Sequence, residues 1–217
     1  MLPVAQHRAA VTDPAKLGEL LRAIDAYQVT PVVRAALALA PMVFLRPGEL
    51  RHAEWAEFDL DGTTWTIPAA RMKGRLKAKK NGPPHIVPLA LQAAAILRDL
   101  RPLTCKGRYG FPSPLSPDRP LSDNGVLSAL RRMGFGKDEM TGHGFRATAR
   151  TITAERLGIA PEVIEAQLAH AVGDALGRAY NRTSFMEQRR DMMVKWTDYL
   201  DQVRRGAQVI ALPGKQA

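Results

Sequence analysis

Along most of this 217-residue chain the hydrophobic positions recur at helical spacing, and one stretch near the middle breaks that rhythm. Leu17, Leu20, Leu21 and Ile24 share one face of a predicted helix. Asp13-Pro14 marks its start. The aspartate oxygen can accept from the first free N–H groups, and proline's missing N–H costs nothing at the first helical position. Thr30-Pro31 repeats the signal and opens an apolar helix to about Phe44, apolar nearly all round and therefore placed in the core. Pro47-Gly48-Glu49 starts a shorter helix through His52. Between Phe58 and Leu89 the pattern changes. FDL, then Asp61-Gly62, then TTWTIP reads as a hairpin, because Asp-Gly suits a tight turn, and HIVPL reads as a third strand. Helices resume over Leu91–Leu100, Asp123–Met133, Gly144–Leu157, Glu162–Leu168, Asp174–Asn181 and Met186–Val203. Phe111–Pro120 holds four prolines and no periodicity, so a surface loop is expected. The tail VIALP after Gly206 is suited to a short strand or to docking on another molecule. The expected fold is mainly α with a small antiparallel β-sheet.

Charge narrows the choice of partner. Lys and Arg number 31 against 21 Asp and Glu, a net charge of +10 spread over several segments. Polyanions are the natural partners of such a chain, with nucleic acid favoured over membrane. Its single cysteine, Cys105, excludes a disulfide framework and a thiolate metal cluster, and a reducing, cytoplasmic setting fits best. The most apolar run, Val32 to Leu45, is interrupted by Arg34 and Pro41 and is too short to span a bilayer. No secretory leader pattern opens the chain. His7, His52 and His85 have no metal-ligand spacing, no cofactor is expected, and the absence of a GxxxxGK[ST] loop gives no support to ATP use.

Within this frame one ordered set of residues carries chemistry. His143 and Arg146 in TGHGFRATAR share a face of a helix that Thr141 can cap, and the helix start itself favours an anion. Taken alone, the string also reads as a capped surface helix with a solvated arginine face. Arg46 follows the apolar MVFL, where a guanidinium needs a partner, and Glu49 three residues on can supply it. An internal Arg46–Glu49 ion pair and a phosphate clamp are both open, and compatible: a glutamate that orients the guanidinium leaves part of its donor fork free. The window Arg71–Lys80 contains Arg71, Lys73, Arg75, Lys77, Lys79 and Lys80 and no acid, so it is expected to be a protruding basic hairpin tip. His170 in QLAHAVGD and Tyr180 in RAYNR could each be packing residues. In order, however, His143, Arg146, His170 and Tyr180 bring two imidazoles, a guanidinium and a phenol, with gaps of 3, 24 and 10 residues. That combination suits phosphoryl transfer to a tyrosine.

Assembled, FLRPGELRHAEW, RMK, HIVPL, GHGFRATART, IEAQLAH, AYNRT and MMVKW resemble, in order and spacing, the catalytic domain of tyrosine recombinases, close to prophage and genomic-island integrases. The likeness runs from about Asp13 to Val209. It implies the DNA breaking-rejoining enzyme fold over residues 13–205, with a linker remnant at 1–12 and a tail at 206–217 that docks in cis or in trans. It implies the site Arg46, Lys73, His143, Arg146, His170 and Tyr180, with Glu49 in the supporting acidic position. Tyr180 would attack a DNA phosphodiester to give a 3′-phosphotyrosyl link, and Lys73 would protonate the leaving 5′-oxygen. His143 would help take the phenolic proton, and His170 would hydrogen-bond a phosphate oxygen. Arg71, Arg75, Lys77, Lys79 and Lys80 would meet the DNA backbone. The implied partner is double-stranded attachment-site DNA, bound as a tetramer by a chain that is a monomer alone, with accessory DNA-bending proteins, in a nucleoid-associated setting. Two features depart from the family pattern. The segment between Lys73 and His85 is longer and more basic, which leaves open which lysine enters the site. The arm-binding and core-binding domains that family integrases carry first have no room here, so an isolated catalytic domain is expected. Two other activities share these features: a type IB topoisomerase-like relaxation, and DNA binding without catalysis.

Overall fold

A computed structural model describes residues 9–72, 82–170 and 185–206. Helix α1, Pro14–Ala26, begins as the sequence predicts: the Asp13 carboxylate accepts from the Lys16 N–H at 2.9 Å. Its apolar face, Leu17, Leu20, Leu21 and Ile24, is fully buried. Helix α2 spans Pro31–Leu39 and stops well short of Phe44. A helix through Pro41 would press its ring on a preceding carbonyl and lose one hydrogen bond. The chain instead turns over residues 40–43, and Phe44 takes a left-handed φ of 59°. Helix α3, Pro47–Arg51, follows immediately.

Strands β1 (Phe58–Asp59), β2 (Thr64–Ile67) and β3 (His85–Pro88) form an antiparallel sheet in that order, with Trp65 opposite Val87 and Ile67 opposite His85. Trp65, Ile67 and Val87 are fully buried, so one face of the sheet closes the core. Helix α4, Leu91–Thr104, runs four residues beyond the predicted Leu100 and carries Pro102 inside it. Packing supports the final turn, since Thr104 accepts a hydrogen bond from the Trp55 indole at 3.2 Å.

The segment expected to be a loop contains a second small hairpin, β4 (Pro112–Ser113) with β5 (Ser116–Pro120). Its turn sits between prolines, which periodicity does not register. Helices α5 (Asn124–Arg132), α6 (Gly144–Glu155), α7 (Pro161–Gln167) and α8 (Met186–Arg205) lie where predicted, α5, α6 and α7 to within one or two residues at each end. The expected helix Asp174–Asn181 and the tail strand lie outside the described residues. Among the described residues no helix is long and apolar enough to cross a membrane.

Two packings hold the elements that carry the candidate residues. Helix α8 lies against α1, where a Cβ on Gly18 would stand 2.4 Å from the Val203 carbonyl oxygen; only glycine permits that approach. Mid-helix, the Trp196 indole donates to the Pro41 carbonyl at 2.8 Å and its ring meets Phe44 edge-on at 5.9 Å. Helix α8 therefore braces the turn that leads into α3.

Candidate active site

The turn before α3 delivers Arg46. Glu49, only 4% exposed, accepts from the Arg46 backbone N–H at 2.9 Å and from its guanidinium at 2.7 Å, a capping box that doubles as a side-chain brace. One edge of the fork stays available, and the Arg46 side chain keeps 20% exposure.

Arg146 comes from the first turn of α6 and is 9% exposed. Thr141 Oγ1 accepts from the Gly144 N–H at 3.0 Å, the cap expected at this start. A Cβ on Gly144 would lie 2.4 Å from the Ala9 carbonyl oxygen, so glycine lets the N-terminal segment cross over α6. One Arg146 nitrogen donates to the Phe44 carbonyl at 2.7 Å; the other donates to the Leu168 carbonyl and meets His170 Nε2 at 2.7 Å. Burial, then the neighbouring Arg46 charge, pulls the guanidinium down to about 10, with Glu49 and Glu165 opposing. The Phe44 carbonyl that Arg146 meets lies only two residues before Arg46, which brings the two guanidiniums within reach of each other's charge.

His170 reaches it through the end of α7. Ala169 adopts a left-handed φ of 49°, its N–H donates to the Ala166 carbonyl at 3.2 Å, and the His170 N–H donates to the Glu165 carbonyl at 3.1 Å. These are the two bonds of a Schellman cap, with alanine where glycine is usual. The cap folds His170 back over Glu165, whose carboxylate meets Nδ1 at 2.5 Å and Arg150 at 2.8 Å. His143 occupies the start of α6 and lines an open groove of about 720 Å³ together with Pro47, Gly48, Arg131 and Lys137.

Four of the six predicted catalytic residues, Arg46, His143, Arg146 and His170, are thus described, as is Glu49. Lys73 and Tyr180 lie outside the described residues, as do Arg75, Lys77, Lys79 and Lys80. Arg71 is described, and it does not project outward. Its guanidinium pairs with Glu57 at 2.6 Å, and Glu57 in turn accepts from the Trp65 indole at 2.9 Å. The pair ties the short turn over residues 69–71 to the sheet.

The structure adds residues that motif reasoning passed over. Arg189 of α8 is 3% exposed; it donates to Gln167 Oε1 at 2.8 Å and to the Ile86 carbonyl at 2.5 Å, joining α8 to α7 and β3. Burial brings it down to about 10. A signal was available: Arg189 falls on the same helical face as Met192, Met193 and Trp196. His85 stands beside it, with Nε2 against the Gln167 carbonyl at 3.1 Å. Burial first, then the charge of Arg189, depresses this imidazole to about 4, and Arg146 and Arg46 add to the effect. A neutral ring there adds no fourth positive charge to the cluster.

Such a cluster of guanidiniums and imidazoles fits an anion that spans Arg46 and Arg146. The phage integrase family model matches residues 11–187. The chain belongs to the phage integrase family. Prophage integrase IntA of Escherichia coli (strain K12) is 36% identical over 91% of this chain and 46% of its own length. The integrase of Enterobacteria phage P4 is 38% identical over 92% of this chain and 47% of its own. The chain spans about half the length of the curated relatives it matches. In fold it is similar to an integrase from mycobacterium phage Brujita, with a TM-score of 0.60, 14% identity, and coverage of 94% of this chain and 65% of that one. It is likewise similar to the XerH site-specific recombinase bound to difH substrate, with a TM-score of 0.54, 18% identity, and coverage of 84% and 55%.

Proposed function

We propose that this chain is the catalytic domain of a site-specific DNA recombinase that cleaves and rejoins double-stranded DNA through a tyrosine ester. The observation that carries the reading is the convergence of Arg46, Arg146 and His170, from three separate helical segments, on one anion-suited site in a chain of the integrase family. Attack on a phosphodiester places extra negative charge on the non-bridging oxygens, and preorganised guanidiniums stabilise that charge without having to reorient. Glu49 and the Phe44 carbonyl supply the preorganisation.

In this reading the Tyr180 oxygen forms a bond to phosphorus while the bond from phosphorus to the 5′-oxygen breaks. An unperturbed phenol has a pKa of ~10, so a proton must be taken as such a group attacks, and His143 at the head of α6 is the candidate base. Lys73 returns a proton to the 5′-alkoxide. The phosphate ester is kept rather than hydrolysed, so a second 5′-hydroxyl can reverse the step without ATP or metal. The charge of +10 suits a DNA partner. A tetramer on attachment sites, accessory DNA-bending proteins and association with the nucleoid are part of the same reading, as is a catalytic domain over residues 13–205.

The test is a denaturing gel of the chain with a nicked attachment-site duplex. The expected result is a covalent protein–DNA adduct that Tyr180→Phe abolishes while DNA binding stays within about twofold, since one hydroxyl is lost from an extended interface. An adduct that survives in Tyr180→Phe removes Tyr180 from the role. DNA binding with no adduct in the unaltered chain indicates a non-catalytic binder. Relaxation of supercoiled plasmid without strand exchange indicates topoisomerase-like chemistry.

A further inference from the structure

The contacts of His170 dictate which of its nitrogens carries a proton. The Arg146 guanidinium, at about 10, is protonated at neutral pH and can only donate. The Nε2 that it meets at 2.7 Å is therefore bare. Nδ1, at 2.5 Å from the Glu165 carboxylate, holds the ring proton. In this state His170 cannot donate to a phosphate oxygen, because the nitrogen on the site's side has nothing to give. One Arg146 nitrogen is meanwhile directed at the imidazole. Both groups needed for an anion are occupied with each other.

We propose that Glu165 is a positioning residue for the reaction: it holds His170 in the Nδ1–H form while the site is empty and supports the imidazolium formed when a phosphate takes over the Arg146 nitrogen. The proposal rests on the recombinase reading for what His170 does. The phosphate oxygen accepts the Arg146 N–H that faced the imidazole, Nε2 binds a proton from solvent, and the new Nε2–H donates to the phosphate. Among the described residues the charged groups that face this ring are Arg146 from α6 and Glu165 from α7, with Arg150 behind the carboxylate at 2.8 Å. A further cation beside Arg146, which already has the Arg46 charge as a neighbour, is unfavourable unless an anion lies on each side of it, and Glu165 and the phosphate are those two anions.

The local fold makes the arrangement specific. In a Schellman cap the residue after the left-handed position lies over the third residue from the helix end, a place usually filled by a hydrophobic pair. Here that pair is His170 and Glu165. The backbone bonds of the cap would form with any side chains there, so the cap alone does not require a carboxylate. Burial raises the Glu165 carboxyl, but hydrogen bonds from His170 and Arg150 outweigh it and hold the group below the usual carboxylate value. It is a firm anion.

Long-range nitrogen–proton NMR on the full chain at pH 7.5 tests this, with the His170 signals assigned by their loss in His170→Gln. Inorganic phosphate is the titrant. Without phosphate, His170 is expected to show the Nδ1–H tautomer; with phosphate, both nitrogens become protonated. Glu165→Gln, of the same shape and on the partly exposed side of α7, should keep the tautomer and lose the phosphate-driven imidazolium. Glu165→Leu should lose both. A free-state ring protonated on Nε2, an absence of proton uptake with phosphate, or variants that respond like the unaltered chain would each overturn the proposal. Adduct formation without the His170 response sinks this inference alone, whereas the response without adduct sinks the recombinase reading alone.

Discussion

Arg146 donates to the carbonyl of Phe44, 102 positions earlier in the chain, at 2.7 Å. That carbonyl points into the site because Phe44 holds a φ of 59°, a conformation costly for a bulky side chain and offset by the Trp196 contacts around it. The bond connects the two arginines through two residues of backbone.

Replacing either arginine should affect chemistry more than binding. Arg46→Ala or Arg146→Ala should slow adduct formation by about 10²–10³, the usual cost of one preorganised donor to a developing oxyanion. DNA affinity should fall far less. Arg146→Lys should recover little, because one nitrogen cannot occupy both positions from which the guanidinium fork reaches the Phe44 and Leu168 carbonyls. Rates on a nicked duplex, measured beside filter-binding affinities, check this; equal losses in both would remove the arginines from a transition-state role.

Ala169 sits at a left-handed φ of 49° where glycine carries no steric penalty. Ala169→Gly is expected to stabilise the fold by about 1 kcal/mol, with the gain in loop entropy of the unfolded chain subtracting part of it. Thermal unfolding reads the change. A lower midpoint would show that the strained angle is not a cost in this cap.

His85 links stability to pH. Its folded-state value of about 4 lies below the 6.5 of an exposed imidazole, so the unfolded chain binds the proton first as pH falls. Stability should therefore be full above pH 6.5 and decline as pH falls from there toward 4, by as much as ~3 kcal/mol at the rate of about 1.4 kcal/mol per unit. His85→Gln should flatten that part of the curve. Urea titrations between pH 7 and 4 measure it, and an unchanged slope in the variant would assign the acid sensitivity elsewhere.

The basic segment should divide into two functions. Lys73→Ala is expected to slow cleavage with little change in the salt dependence of binding, and its defect should largely vanish when the leaving 5′-oxygen is replaced by sulfur, which departs without a proton. Lys77→Ala, Lys79→Ala and Lys80→Ala should each lower the salt slope of log K by roughly 0.9 in magnitude, the value for one lost phosphate contact. Sulfur rescue of Lys77→Ala in place of Lys73→Ala would move the general acid along the segment.

Helix positions, the three-stranded sheet and the set Arg46, His143, Arg146 and His170 follow from local patterns: apolar spacing, proline and aspartate caps, an Asp-Gly turn, and ordered strings shared with a family. Such signals depend on neighbours within a few residues, so one chain displays them without its fold. The Arg46–Glu49 brace belongs here too, since both partners lie in one turn of helix. Other features required the tertiary structure. The turn after α2 is held by the Trp196 indole on the Pro41 carbonyl, a contact across 155 positions. Arg71 points inward because Glu57 is brought beside it by the sheet, a pairing across 14 positions that no local pattern encodes. The bare Nε2 of His170 depends on Arg146, 24 residues away, and the neutrality of His85 depends on Arg189 and on burial. Protonation and hydrogen-bond direction are set by what surrounds a group in space, and spatial neighbours are fixed only when distant segments pack.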